Sequence, residues 1–142
     1  MAKEIIRFTF HDSSFVNKAF EIRRVVFVFE QDCPPELEYE NEEICQHYLA
    51  YMDGVPAATA RWRETENGIK LERFAVLKEY RLNGIALALV NRLLEDVKPF
   101  NKAIYLHAQI EAMPLYAKAG FEPTGPQFEE AGIQHFKMIY KK

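Results

Sequence analysis

Apolar and polar positions along this chain repeat with two periods, and the switches between them mark its elements. Near the start, "KEIIRFTF" alternates and predicts a first strand. "HDSS" then offers a helix N-cap at Asp12 or Ser13. Phe15, Ala19, Ile22, Val26 and Phe29 follow at helical spacing and predict one long amphipathic helix that buries this stripe. "QHYLAYMDG" and "VPAATARWRE" read as two strands joined by a turn at Asp53-Gly54. "ENG", residues 66–68, is a second tight turn, and "IKLERFAV" completes a three-strand meander. A helix is expected over residues 84–97, with Ala86, Val90, Leu93 and Val97 inward and Pro99 ending it. "KAIYLHA" is a further strand, and "AMPLYAKAG" a short helix with Gly120 in the C-cap position. In "GIQHFKMIYKK", Phe136, Met138 and Tyr140 share one face of a closing strand. The order predicts a mixed α/β sheet with helices on its faces. No repeat or linker interrupts it, so residues 1–142 are read as one domain.

One segment fits neither period. "EQDCPPELEYENEE", residues 30–43, holds seven acidic residues, two prolines and no lysine or arginine. It is expected as a loop or broken helix, and either lines a site for a cationic amine or is simply solvated.

Composition narrows the function classes. The chain has 142 residues, of which 49% are hydrophobic, enough for a substantial core. A net charge of −3 gives no electrostatic footprint for a nucleic-acid polyanion. No long uncharged apolar run predicts a membrane span, and "MAKEIIRFTFHD" is too often interrupted by charge to be a secretory signal. Cys33 and Cys45 are expected as reduced thiols of a cytoplasmic protein. Serines occur only at positions 13 and 14, which disfavours a serine hydrolase. Histidines 11, 47, 107 and 135 are scattered without metal-ligand spacing, so no metal is expected.

The most informative stretch is "LERFAVLKEYRLNGIALALVNRLL", residues 71–94. A strand gives way to a helix across Arg81-Leu82-Asn83-Gly84-Ile85-Ala86. A helix starting near Gly84 presents unpartnered backbone N–H groups and the positive end of its dipole. Glycine admits a ligand close to the backbone, and arginine adds a fork suited to phosphate. The junction suits a pyrophosphate, yet matches neither GxxxxGK nor GxGxxG.

This stretch resembles motif A of the GNAT superfamily of acetyltransferases, with Arg81, Gly84 and Ala86 at its R/Q-x-x-G-x-G/A positions. "QIEAMPLYAKAGF" is similar to the family's N-x-x-A-x-x-x-Y-x-x-x-G-F segment, with Gln109 in place of asparagine and Ala112, Tyr116, Gly120 and Phe121 matching. "IRRVVFVFEQDCPPELE" and "AGIQHFKM" resemble a small bacterial branch of the family, in which Arg24, Glu30 and Gln31 fit the pattern without an assigned role.

The resemblance implies a GNAT-type fold, a central, mostly antiparallel sheet flanked by helices. It implies acetyl-CoA as acyl donor, with an unidentified primary amine as acceptor. Phe74, Ala75 and Val76 would meet the pantetheine at a bulge near Val76. Arg81, Leu82, Asn83, Gly84, Ile85 and Ala86 would cradle the pyrophosphate, with Gln109 and Tyr116 completing the cofactor site. Tyr116 is the candidate acid for the leaving thiolate, and the Val76 N–H the oxyanion donor. Glu72, placed by alternation on one face with Phe74 and Val76, is a candidate base; its alternative is an ion pair with Arg61, Arg63 or Arg73. His107, His135 and water are other candidates for the base. A non-catalytic acyl-CoA-binding sensor or interaction module is the rival reading. A homodimer is allowed for; neither nucleic acid nor membrane is expected as a partner.

Overall fold

The computed structural model describes residues 3–33 and 39–141. Strand β1 (Lys3–Phe8) leads into helix α1 (Ser13–Arg23), which continues as a π-helical segment (Arg24–Glu30). Three strands follow: β2 (Gln46–Met52), β3 (Val55–Thr65) and β4 (Gly68–Val76). Helix α2 (Ile85–Val97), β5 (Ile104–Gln109), helix α3 (Met113–Ala119), β6 (Phe121–Glu130) and β7 (Ile133–Tyr140) complete the chain.

All seven strands form one sheet, in the order β1-β2-β3-β4-β5-β7-β6. Every neighbouring pair is antiparallel except β4–β5, which is parallel. The mixed α/β expectation is met.

The two faces of the sheet differ. Helices α2 and α3 cover one face, burying Leu89, Val90, Leu93 and Val97 of α2 against Ala58, Ala60, Trp62, Leu71, Leu106 and Met138. Burying an aliphatic side chain of this size contributes about 1.5–3 kcal/mol, so this layer dominates cohesion. Helix α1 packs Val16, Ala19 and Ile22 on the opposite face, against Phe8, Leu49 and Ala75. This second helix reaches β2, β3 and β4.

One expectation needs correction here. The first helix does not run regularly to Phe29. It widens into π-helical turns after Arg23, and the extra residue per turn rotates the stripe, leaving Phe29 65% exposed. The chain's last third also contains β6, whose mostly exposed residues give no clear alternation.

The acidic segment is only partly solvated. Glu42 lies buried in a short 3₁₀ turn (Glu42–Ile44). It accepts two hydrogen bonds from Arg23, at 3.0 and 2.8 Å, and one from Arg61 at 2.7 Å. Glu40 pairs with Arg73 at 3.5 Å, and Glu30 with Arg81 at 2.7 Å. These carboxylates are committed to the protein's own arginines. Residues 34–38 of the segment lie outside the described residues.

Candidate active site

Strands β4 and β5 pair at only three positions: Ile69 with Ile104, Lys70 with Tyr105, and Leu71 with Leu106. Beyond Leu71 and Leu106 they part. β4 follows β3 to Val76, and β5 follows β7 to Gln109. The result is a wedge-shaped fork.

A bulge marks the parting. Thr59 pairs with Ala75 and Arg61 with Glu72, so Arg73 and Phe74 together oppose Ala60. Arg73 takes a φ of 58°, an uncommon conformation for a non-glycine residue. Such a bulge sharpens local twist and turns the strand away from its neighbour. The bulge expected near Val76 therefore lies at Arg73–Phe74.

The bulge also overturns the expected facing of Glu72. Ile69 and Leu71 face α2, and after the extra residue so do Phe74 and Val76. Glu72 points to the other face, in register with Arg61. There Arg61 Nε donates to it at 2.7 Å and Arg63 Nε at 3.1 Å, while Lys70 Nζ lies 3.4 Å away. Arg61 Nη2 approaches the same carboxylate to 2.6 Å but off the hydrogen-bond axis. Burial works to raise the Glu72 pKa. The charges of Arg61, Lys70, Arg63 and Arg73 outweigh it and hold the carboxyl at about 2. The ion-pair alternative describes this residue, and a carboxylate so held is a poor proton acceptor near neutrality.

At the fork's mouth, β4 passes through a 3₁₀ turn (Lys78–Tyr80) into the Arg81–Gly84 junction and α2. Gly84 caps the helix with a φ of 78°, and no side chain caps it. The intrahelical pattern begins with Ala88 N–H donating to the Gly84 carbonyl at 3.0 Å. The preceding N–H groups of the first turn have no such partner. Leu82, with a φ of 65° and a fully exposed side chain, forms the rim. Lys3 Nζ would lie 3.7 Å from a Cβ built on Gly84, so β1 brings a cation to the helix start.

Arg81 is expected alongside this site, and it is there, but engaged. Its Nε donates to the Val76 carbonyl at 3.0 Å. Nη1 and Nη2 donate to the Glu30 carboxylate at 2.9 and 2.7 Å. The next residue, Gln31, exchanges side-chain amide hydrogen bonds with Gln109 at 3.0 and 3.4 Å. The end of the π-helical segment thus spans the fork, tied to β5 on one side and to the junction on the other.

Tyr116 is buried under the bulge on the helical face. Its ring packs edge-on against Phe74 at 5.6 Å and Phe121 at 6.2 Å between centroids. Burial raises its phenol pKa, so the hydroxyl stays protonated at neutral pH. Ile85 is buried, Ala86 is half-buried, and Asn83 Nδ2 donates weakly back to the Arg81 carbonyl at 3.3 Å. Phe74, Val76, Arg81, Gly84 and Tyr116 therefore gather around one fork, while Glu72 turns out of it.

The remaining candidates lie on the opposite face. His107 Nδ1 sits 3.1 Å from Glu130 Oε1. His135 Nδ1 sits 2.7 Å from the Ile133 carbonyl. Cys45 is buried, with its thiol pushed up to about 11, and Cys33 is half-buried and outside any disulfide. Among the described residues no group of side chains is arranged to hold a metal ion, and no helix is long and apolar enough to cross a membrane.

A forked seven-stranded α/β sheet with an uncapped, glycine-started helix at its mouth is the architecture of an acyl-transfer enzyme class. The family model for the acetyltransferase (GNAT) domain matches residues 22–142, and the chain belongs to that family. It is 40% identical over 128 residues to a candidate acetyltransferase of Bacillus subtilis (strain 168), spanning 87% of each chain. An acyl-CoA N-acyltransferase from Pseudomonas aeruginosa superposes with a TM-score of 0.82 over 99% of this chain and 100% of that one, at 22% identity. PaiA N-acetyltransferase from Thermoplasma acidophilum, solved in complex with coenzyme A, gives a TM-score of 0.72 over all of both chains at 15% identity.

Sequence reading missed Lys3, Glu42 and Glu130. Lys3 and Glu42 carry no local signal, because Gly84 lies 81 residues from Lys3, and Arg23 and Arg61 each lie 19 residues from Glu42. Glu130 could have been suspected from its place just before Ala131-Gly132, the turn that brings β6 back beside β7.

Proposed function

We propose that this chain transfers the acetyl group of acetyl-CoA to a primary amine by direct attack on the thioester. The observation that carries this reading is the left-handed Gly84 at an uncapped helix start, at the open end of the β4–β5 fork. The pyrophosphate would accept from the N–H groups of Ile85 and its neighbours and meet Arg81 and Lys3. The pantetheine amides would pair with the strand edges that β4 and β5 expose to each other. That an N-acetyltransferase of the same fold was solved with coenzyme A supports the assignment. The chain would act as one domain, 1–142, in the cytoplasm.

At the bulge, Tyr116 donates its proton to the departing thiolate, while a backbone N–H near Phe74–Val76 steadies the oxyanion. The fit is physical: Phe74 touches both the fork and the Tyr116 ring. Retention of this buried, protonated hydroxyl favours an enzyme over an acyl-CoA sensor.

Binding and turnover test the two halves separately. Acetyl-CoA at about 100-fold over its Kd should stabilise the protein by about 2.7 kcal/mol, with NADH and ATP far less effective. Gly84→Ala forces a Cβ into the left-handed region, costing about 1–2 kcal/mol of stability and weakening acetyl-CoA. Free-thiol release across an amine panel should exceed hydrolysis. Binding without amine-dependent release would favour the sensor; equal stabilisation by ATP would overturn the cofactor assignment.

A further inference from the structure

We propose that His107, held by Glu130, is the general base that takes the acceptor amine's proton, on the open face of the sheet where β4 and β5 part. This inference rests on the acetyl-transfer reading and names a residue for it.

Position is the first argument. The last parallel pair joins Leu71 to Leu106, so His107 is the first β5 residue beyond the pairing. It stands at the crotch of the fork. Leu106 points into the helix-covered core, so His107 points to the opposite face. An acyl chain anchored at Gly84 and running down the fork ends at this crotch, beside the Arg73–Phe74 bulge. Tyr116 lies under the bulge on the helical face. Acid and base would then sit on opposite sides of the thioester, so the amine can add to the carbonyl carbon from the open face while the sulfur stays toward Tyr116.

The second argument is the dyad. A carboxylate can only accept, so the 3.1 Å contact fixes the His107 proton on Nδ1 and leaves Nε2 with a lone pair. Among the described residues Nε2 has no partner. Glu130 reaches His107 from the far end of β6, across β7. Phe128 packs edge-on against the His107 ring at 5.0 Å between centroids and fixes its plane. The His107 side chain keeps 26% of its exposure, so an amine can reach it. His135 fits less well, being 6% exposed and tied to its own strand's Ile133 carbonyl.

The chemistry balances. The amine nitrogen bonds to the acyl carbon, and its proton passes to His107 Nε2. The C–S bond breaks, the thiolate takes the Tyr116 proton, and solvent restores both side chains. Glu130 holds the imidazole ring through Nδ1, as a positioning residue. The charged and titratable groups near it on this face are Lys70 and Glu72 on β4, Arg61 and Arg63 on β3, Tyr105 on β5, Lys137 and His135 on β7, and Glu130 on β6.

The experiment compares His107→Asn, Glu130→Gln and His135→Asn with the unmodified protein, by acetyl-CoA affinity and the pH profile of amine-dependent thiol release. Asparagine places an amide donor where Nδ1 was, keeping Glu130 satisfied while removing the base. His107→Asn should lower turnover about 10²-fold or more with acetyl-CoA affinity unchanged, and abolish the acidic limb. Glu130→Gln should lower turnover through kcat with the acceptor's KM and acetyl-CoA affinity unchanged, because the imidazole loses the partner that orients it. A merely structural role for Glu130 would instead lower thermal stability and acetyl-CoA affinity along with activity. An unchanged profile in His107→Asn, or loss of the limb in His135→Asn instead, would overturn the inference alone. If the unmodified protein bound acetyl-CoA without turnover, or failed to bind it, the underlying reading would fall and take this one with it.

Discussion

Tyr116 and His107 stand on opposite sides of one thin sheet, and each owes its chemistry to its surroundings. Tyr116 is packed among Phe74 and Phe121, where an ionised phenolate would be poorly solvated. Its raised pKa keeps the hydroxyl protonated across the pH range where amines react, as the proposed acid requires. Tyr116→Phe keeps the ring and its edge-on contacts, so stability should change by less than about 1 kcal/mol. Turnover should fall toward the low end of the ~10²–10⁴-fold range for general acids, because a thiolate is already a good leaving group. Acetyl-CoA affinity should hold. Steady-state turnover plus calorimetry checks this; unchanged turnover would leave Tyr116 as core packing.

Among the elements, the π-helical segment does what no regular helix of its length would. Its wider turns end the α1 stripe early and carry Glu30 and Gln31 over the fork. π-Helical turns are often found at functional sites, and here the segment places a carboxylate on Arg81, which the pyrophosphate would otherwise use. Glu30→Gln should therefore free the guanidinium. An ion pair this exposed is worth about 0.2–1 kcal/mol, so acetyl-CoA should bind about 1.4- to fivefold tighter. A titration of both proteins at equal ionic strength decides it, and weaker binding would show that Glu30 orders the site rather than blocking it. The same segment shows where sequence reading stopped. Helical spacing was legible from Phe15 to Val26 because those side chains face a core. The widening after Arg23 was not, because it is set by contacts with residues 81 and 109. On β4, strict alternation assigned the wrong face to Glu72, because one residue at φ 58° resets the count. The Arg81–Gly84 junction, by contrast, was legible, since a left-handed helix start needs a glycine in the sequence itself.

For the whole molecule, the buried network of Arg23, Arg61, Glu42 and Glu72 ties α1 and the 3₁₀ turn to β3 and β4. Glu72 has a folded-state pKa of about 2 against an ordinary 4.5. A depressed carboxyl stabilises the fold above its unfolded pKa, and that stability is lost as pH falls toward the folded value. The window is therefore pH 4.5 down to 2, and the pH-dependent part amounts to about 3 kcal/mol. Glu42 is also shifted down, in the same direction: burial opposes it, and Arg23 and Arg61 prevail. Glu72→Gln should lose about 3 kcal/mol at neutral pH, since Arg61 gives up one of its two buried carboxylate partners and keeps only Glu42. It should also flatten the acid limb of urea-unfolding stability measured from pH 6 to pH 3. A variant whose stability fell as steeply with acid as the parent's would place the acid sensitivity elsewhere.

A sheet stitched at its centre by three residue pairs has a seam. Strands β1 to β4 share long antiparallel ladders with one another, and so do β5, β7 and β6. Cooperative opening in native proteins follows such divisions. The amides of β5, β6 and β7 should exchange with deuterium through a partial opening that leaves β2 and β3 closed, and the protection map should break at residues 104–106. A cofactor lying in the fork pairs with both flanks, so acetyl-CoA should slow exchange on β4 and β5 together and merge the two units into one. Uniform protection across the seam in the free protein would mean that the helices α2 and α3, not the strands, set the unit of opening.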